Sequence, residues 1–270
     1  VRRTGHHDHA LRFWSEKFAQ RTLQRLSEPT LYFFCSTLVL VSVLYSCVGQ
    51  AGASGYIALM ALFGFAPAAI RPTALVLNVL VSVVVSLRFY RAGHFSWRLF
   101  VPFAVLSVPA TFLGGSITLS PFVFSRLLGA LLLIASVPFF FRRDSISQEI
   151  SKPRLPVALL AGAAIGLLSG LTGVGGGILI TPLLLNLRWA DPKPAAAVSA
   201  VFIFLNSVAA LLGHLGTVWS LPSHLPLFAL AAVFGGAIGS QLGSAHLSSS
   251  AIYRILGAIL SIAGLKLIYT

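Results

Sequence analysis

The chain has 270 residues, of which 57% are hydrophobic and only 9% charged, and its mean hydropathy is +0.90. A soluble domain carries roughly a quarter charged residues, so that class is excluded. An excess of 19 Lys and Arg over 6 Asp and Glu would suggest nucleic acid as partner in a soluble protein, but here the basic residues stand at the ends of apolar stretches and read as topology signals and lipid anchors.

Residues 1–30 form a basic tail. Leu11, Trp14, Phe18 and Arg25 fall at near-helical spacing, which fits a helix lying on an anionic leaflet as well as it fits a partly disordered tail. His6, His7, Asp8 and His9 are ligand-type side chains packed too tightly to be assigned as a metal site. The chain opens on Val1, and its native start is expected to lie elsewhere.

No charged residue occurs from Leu31 to Ile70, Leu99 to Ser125, Leu155 to Leu187, or Pro194 to Tyr253. About 20 apolar residues at about 1.5 Å each cross a hydrocarbon core of about 30 Å, so these are polytopic membrane segments. Their apolar runs lack strand alternation, which excludes a β-barrel. The segments fall near 31–48, 72–90, 99–119, 122–141, 157–185, 195–212, 225–245 and 251–269. The expected fold is all-α, with about eight transmembrane helices in two four-helix repeats, 31–141 and 157–270, joined by a basic linker at 142–156. Cys35 and Cys47 share the first segment on different faces, which argues against a disulfide.

The first and fifth segments each carry a glycine-rich break. CVGQAGASGYIALMALFGFAP from Cys47 resembles GLTGVGGGILITPLLLNLRWADP from Gly170, and aligning Gly55 with Gly177 sets Ala51, Ala53 and Ser54 opposite Gly173, Gly175 and Gly176. An alanine-rich helix follows each break, with Asn78 and Asn206 at similar distances. An internal repeat with one broken segment per half is a transporter signature, and the breaks point to the binding site.

If every segment crosses once, 14 basic residues lie on the amino-terminal side and five (71, 126, 188, 193 and 254) on the other. Both termini are then cytoplasmic, the chain is a multi-pass protein of the cytoplasmic membrane, and the halves are related by an axis along the membrane normal. If the broken segments fold back instead, the residues between Arg71 and Arg154 change sides and the bias falls to about nine against ten.

No Asp or Glu lies inside an expected span, which leaves no carboxylate relay for sodium or protons. Walker A, GxSxG and HExxH motifs are missing, so neither an ATP-driven pump nor an enzyme is expected, and no cofactor is assigned. What remains suits a small anion. A glycine-rich break frees backbone N–H groups, and the half-helix that follows points its positive end into the break. The second break offers Thr172, Gly173, Gly175, Gly176 and Gly177, and the first offers Gln50, Gly52, Ser54 and Gly55. Arg71 either recognises the anion with its guanidinium or anchors the chain at the interface. Asn78, Asn206 and Ser207 line the pathway or bridge helices, and His214 holds substrate or makes a local hydrogen bond. Gly114, Gly115, Gly235, Gly236 and Gly239 are read as packing glycines.

The GLTGVGGGILITPLLL stretch, the PAAAVSAVFIFLNS helix and the weaker first copy resemble the TauE/SafE family of membrane permeases over almost the whole chain after residue 30. The resemblance implies export of sulfite, sulfoacetate or a related small organic anion by alternating access. It carries site roles to Gly173, Gly175, Gly176 and Gly177, and beyond them to Ser199, Asn206 and Ser207. A passive anion channel or a non-transporting membrane subunit are the alternatives. The expected partners are the anion and the lipid bilayer, with a second copy of the chain left open and nucleic acid excluded.

Overall fold

The structure, a computed structural model, describes residues 28–141, 150–151, 153–214, 221–245 and 250–269. The tail ahead of Glu28 and most of the 142–156 linker, with the readings placed on them, lie outside the described residues. Every regular element among the described residues is a helix: α1 Glu28–Cys47, α2 Ala53–Leu62, α3 Pro67–Arg91, α4 Trp97–Ser116, α5 Pro121–Phe141, α6 Leu155–Thr172, α7 Gly177–Asn186, α8 Pro192–His214, α9 Leu225–Ala245 and α10 Ser250–Tyr269. Six of them, α1, α3, α4, α6, α8 and α9, are long and apolar enough to cross a membrane.

Burial separates the layers. In the apolar windows of α3 and α8, 67% of residues are buried, against 33 to 39% in the other four candidates, so this pair forms the centre. Leu160, Leu230, Ile134 and Phe234 are exposed apolar residues on the outer helices, the pattern of a surface solvated by lipid.

Close packing through small residues fixes the direction of each helix. On α6, Gly162, Gly166 and Gly170 lie against the backbone of Phe103, Ser107 and Thr111 on α4, so these helices run in the same direction. On α9, Gly235, Gly239 and Gly243 lie against Val39, Val43 and Cys47, so α1 and α9 also run together. A Cβ at any of these glycines would strike a carbonyl of the neighbouring helix, and backbones approach this closely only where the side chain is a hydrogen atom. Thr111 Oγ1 donates to the Gly166 carbonyl at 2.9 Å, and Ser42 Oγ to the Ala232 carbonyl at 2.6 Å, so each seam is also hydrogen-bonded. Gly114 and Gly115 pack on Leu167 and Ala210, and Gly236 on Val81, as expected of packing glycines.

The same logic shows that each broken segment doubles back. Both α1 and α3 run with α9, the latter through Val81 against Gly236 and Arg88 beside Gln241. The chain between them must therefore return, and α2 does so along α1. Ser54 and Tyr56 lie beside Tyr45 and Ser42 at the tip, while at the base Phe63 meets Phe34 edge-on and Phe65 stacks on it. In the second half α6 and α8 both run with α4, the latter through Ser107 bonded to Asn206 and Gly115 packed on Ala210, so α7 returns likewise. This corrects the expectation that each broken segment crosses once. The glycine turns reverse the chain, a possibility that hydropathy cannot distinguish from crossing.

The halves α1–α5 and α6–α10 are also antiparallel to each other. On α3, Asn78 bonds Ser207 of α8, whereas Arg71, two turns earlier, reaches Gly115, the residue whose backbone His214 bonds two turns after Ser207. Between α5 and α10, Ser136 meets Ser261 and Gly129 meets Gly264, again in opposite directions. Contacts between halves come in exchanged pairs, α1 on α9 with α6 on α4, and α2 on α10 with α7 on α5. A two-fold axis across the bundle produces this pattern, so the expected axis along the membrane normal is corrected.

Antiparallel halves place Ser120, between α4 and α5, and Ser151, before α6, at opposite ends of the bundle. With Cys35 and Cys47 replaced by Ser, cysteine at either exposed position should react with a membrane-impermeant thiol reagent from one face only, and from opposite faces. Equal labelling of both from outside intact cells would contradict the arrangement.

Candidate functional site

Each hairpin tip is a four-residue turn that begins and ends on a left-handed glycine, and the second holds a third, Gly175 (φ 78). Gly49 (φ 77) ends α1 and Gly52 (φ 104) opens α2, while Gly173 (φ 79) ends α6 and Gly176 (φ 78) opens α7. L side chains are disfavoured at such φ, so glycine at these four positions is what lets the chain reverse. The pairs Gly49/Gly173 and Gly52/Gly176 are both 124 residues apart. Ala51 therefore stands opposite Gly175, and Ala53 opposite Gly177. This register corrects the alignment of Gly55 with Gly177 by two residues. In α2 and α7 alike the ten-residue helix is followed by one more left-handed residue, Gly64 (φ 75) or Arg188 (φ 56).

The two tips meet at Asn78. Its Oδ1 accepts from the Ala53 N–H at 3.1 Å, the first amide of α2, and its Nδ2 donates to Ser207 Oγ at 2.7 Å. On the other side Gly175 approaches so closely that a Cβ there would strike Asn78 Nδ2 and crowd Ser207 Oγ at 3.0 Å. Two half-helices thus present their amino ends to one buried amide. The first-turn N–H groups of α2 and α7 have no carbonyl within their own helices, and each end carries about half a positive charge.

Several buried polar atoms of the tips and of the helices beside them make no hydrogen bond within the protein. They include Gln50 Nε2, Arg71 Nε and Asn206 Nδ2, together with the hydroxyls of Ser46, Thr73 and Ser169. Gln50 is 2% exposed and Asn206 fully buried. The Asn206 side-chain amide lies 2.9 Å from both Ser107 Oγ and Thr111 Oγ1, and the one Thr111 hydroxyl hydrogen is shared between it and the Gly166 carbonyl.

Other expected site residues have different employment. Arg71 is buried, which excludes interfacial anchoring, and its terminal nitrogens donate to the carbonyls of Gly115 (2.8 Å), Gly114 (3.1 Å), Ile117 (3.2 Å) and Gly170. Those are the orphan carbonyls at the carboxyl ends of α4 and α6. The reading of Arg71 as a bidentate anion ligand is corrected, because its fork is already occupied and only Nε remains. His214 bonds the Gly115 backbone beside it. Thr172 Oγ1 donates to Leu168 of its own helix at 2.7 Å. Ser54 Oγ bonds Tyr45, and Gly55 packs on Val41 and Tyr45, so both face α1 rather than the tip. Ser199 lies 2.7 Å from Thr181 Oγ1 and ties α7 to α8 away from the turn, while Gly177 packs on Ile203.

The residues missed from sequence are hydroxyls. Tyr56 donates to the Ala51 carbonyl inside the first turn and lies 2.9 Å from Ser42 Oγ. The pairs Ser42/Ser46 and Ser107/Thr111 at helical i, i+4 spacing were the available signal, because two small polar side chains on one face of an apolar helix need partners.

Comparison with known proteins decides the class. The sulfite exporter TauE/SafE family matches residues 34–267. The chain belongs to this family. It is 43% identical over 233 residues, 85% of its own length and 94% of the relative's, to the probable membrane transporter protein y4hK of Sinorhizobium fredii. It is 34% identical over 133 residues, about half of each chain (48% and 47%), to the probable membrane transporter protein YunE of Bacillus subtilis. The sulfite exporter TauE/SafE family protein 1 of Arabidopsis thaliana shares 42% over 83 residues, 28% of this chain and 18% of that one. No solved structure matches the chain. As a TauE/SafE family membrane transporter with several apolar helices, this is a multi-pass membrane protein.

Arg71 then has a testable structural role. Each carbonyl left without a partner costs about 1–3 kcal/mol. Arg71→Gln should lower the thermal stability of the detergent-purified protein markedly, and Arg71→Lys should recover part of it. Unchanged unfolding in Arg71→Gln would free the guanidinium for another role.

Proposed function

We propose that this family member exports a small anion, a sulfite or an organosulfonate such as sulfoacetate, by alternating access around the meeting point of the two hairpin tips. The observation that carries the proposal is the convergence of two helix amino ends on Asn78, amid buried N–H donors that lack acceptors. Donors in excess, with no Asp or Glu on any of the ten helices except Glu28 at the start of α1, suit an oxyanion and repel no negative charge. The family description supports a sulfur oxyanion as its chemical type.

In this reading the site comprises Gln50, Gly52, Asn78, Gly173, Gly175, Gly176, Asn206 and Ser207. The hairpins enter from opposite faces, and each can uncover the site toward its own side while the other stays closed. Glu28 and Tyr269 lie at one end of the bundle, and the end of α5 and the start of α6 lie at the other. We assign the terminal end to the cytoplasm of the cytoplasmic membrane on the basic residues at 2, 3, 12, 17, 21 and 25. The bilayer, with anionic lipids at the tail, is then a partner of the chain.

Gly175→Ala tests the site. It places a methyl against Asn78 Nδ2 and imposes a left-handed φ on an L residue. Losing two charge-assisted hydrogen bonds of about 1.5–3 kcal/mol each should weaken sulfonate binding by roughly a hundredfold or more. Gly236→Ala, at a packing position, should affect stability more than affinity. The measurement is anion affinity on monodisperse protein together with flux in proteoliposomes. Wild-type affinity in Gly175→Ala would remove the tips from the site, and flux that never saturates with substrate would favour a channel.

A further inference from the structure

Away from the hairpin tips, a cavity of about 310 Å³ lies at the end of the bundle where α4, α6 and α8 begin. Small-ligand sites occupy about 300–1,000 Å³, so it is large enough for one. The three helices run in one direction, and their amino ends stand together there. Ser96, Arg98 and Leu99 line the cavity from α4, Ser151 from the segment ahead of α6, and Trp189 and Asp191 from the loop ahead of α8. Ser151 fixes one wall, because its N–H donates to the Arg188 carbonyl at 2.9 Å and its hydroxyl to the Leu187 carbonyl at 3.2 Å. Neither Ser96 nor Arg154, which cap α4 and α6, bonds the first-turn N–H groups through its side chain. Trp189 is only 8% exposed, and no described residue accepts from its indole N–H.

Two charges of opposite sign, Arg98 and Asp191, line this one cavity, and neither makes an ion pair among the described residues. An anion alone would meet the Asp191 carboxylate and a cation alone the Arg98 guanidinium, whereas a zwitterion satisfies both. The surroundings set the cavity at the edge of the hydrocarbon. Tyr90, Phe95 and Trp97 form a chain of ring contacts with centroids 5.8 and 5.0 Å apart, and Tyr90 and Trp97 are exposed, as aromatic residues are at headgroup level. One turn farther along, Val101 of α4 and Leu155 and Val157 of α6 are exposed and apolar, a surface for acyl chains. We infer that the cavity holds the headgroup of a zwitterionic phospholipid with a primary ammonium. Its phosphate is taken by Arg98, the α4 amino end and the Trp189 N–H, and its ammonium by Asp191. Arg154, Arg188 and Lys193, exposed on the same segments, attract the phosphates of any bilayer, so the choice of headgroup falls to the two charges of the lining. A phosphoglycerol head lacks the ammonium and leaves Asp191 facing a phosphate, and a choline head has no N–H to donate to the carboxylate.

The test titrates short-chain phosphatidylethanolamine, phosphatidylglycerol and phosphatidylcholine onto the delipidated full-length protein in detergent and reads bound lipid by native mass spectrometry. The wild type should bind phosphatidylethanolamine about tenfold more tightly than either of the others, the effect of one charge-assisted hydrogen bond. Asp191→Asn should abolish the advantage over phosphatidylglycerol, and Arg98→Gln should weaken all three by about the same factor. Both side chains are exposed and make no hydrogen bond, so both variants should unfold at the wild-type temperature in the absence of lipid. Free O-phosphoethanolamine, which brings no acyl chains, should compete only at far higher concentration. Equal binding of the three lipids by the wild type, or selectivity unchanged in Asp191→Asn, would overturn the inference. Competition by O-phosphoethanolamine at the lipid's own concentration would overturn the lipid as occupant and assign the cavity to a soluble zwitterion.

Discussion

Backbone groups released by an interrupted helix have no water to turn to inside an apolar slab, and their satisfaction organises this molecule. At the carboxyl ends of α4 and α6, four carbonyls converge on the Arg71 guanidinium, which is the one side chain able to serve so many acceptors from a single position. At the amino end of α2 the first amide is met by Asn78. Inside the first turn the Ala51 carbonyl is met by Tyr56. Cation to carbonyl ends and neutral amide to N–H end is the arrangement that leaves the positive helix ends uncompensated by acid, so the scaffold's own electrostatic needs prepare a place for a negative ligand.

The glycines then separate into two kinds with different physics. Gly162, Gly166 and Gly170, like Gly235, Gly239 and Gly243, are ordinary helical residues whose missing Cβ lets two backbones touch. Gly49, Gly52, Gly173, Gly175 and Gly176 have positive φ and turn the chain. The first kind makes rigid parallel pairs, α1 with α9 and α4 with α6, each joining one helix from either half. The second kind concentrates conformational freedom at the two tips. Because each rigid pair draws on both halves, displacement of one hairpin carries with it a helix of the other half. Coupling of that sort is what the proposed alternating access would require.

Much of this was legible in the amino-acid sequence. Charge-free stretches located the helices, and the repeated glycines located the turns. What could not be read was direction. A 35-residue apolar stretch broken by glycine has the same hydropathy whether the chain crosses or returns, and only the contacts of Ser54 and Tyr56 with α1 show the return. Register was missed by two residues for a related reason: matching glycine to glycine favoured Gly55, which packs on Val41 and Tyr45, over Gly52, which turns the chain. Arg71 was misjudged because a lone arginine beside a glycine motif looks like a ligand, and the carbonyls that claim it come from α4 and α6, 43 to 99 residues away.

The commitment of Arg71 to the scaffold also bears on how the site can release what it binds. A carrier must hold its substrate well enough to select it and loosely enough to let it go on the far side. A free guanidinium in an apolar interior would hold an oxyanion by charge-assisted bonds at low dielectric and part with it slowly. Here the guanidinium is largely compensated by four carbonyls, and the attraction comes instead from two helix ends of about half a charge each and from neutral amides. Those helix ends belong to opposite hairpins. In the proposed function, withdrawal of either one would remove about half of that attraction as it opened a path outward, which would couple release to opening.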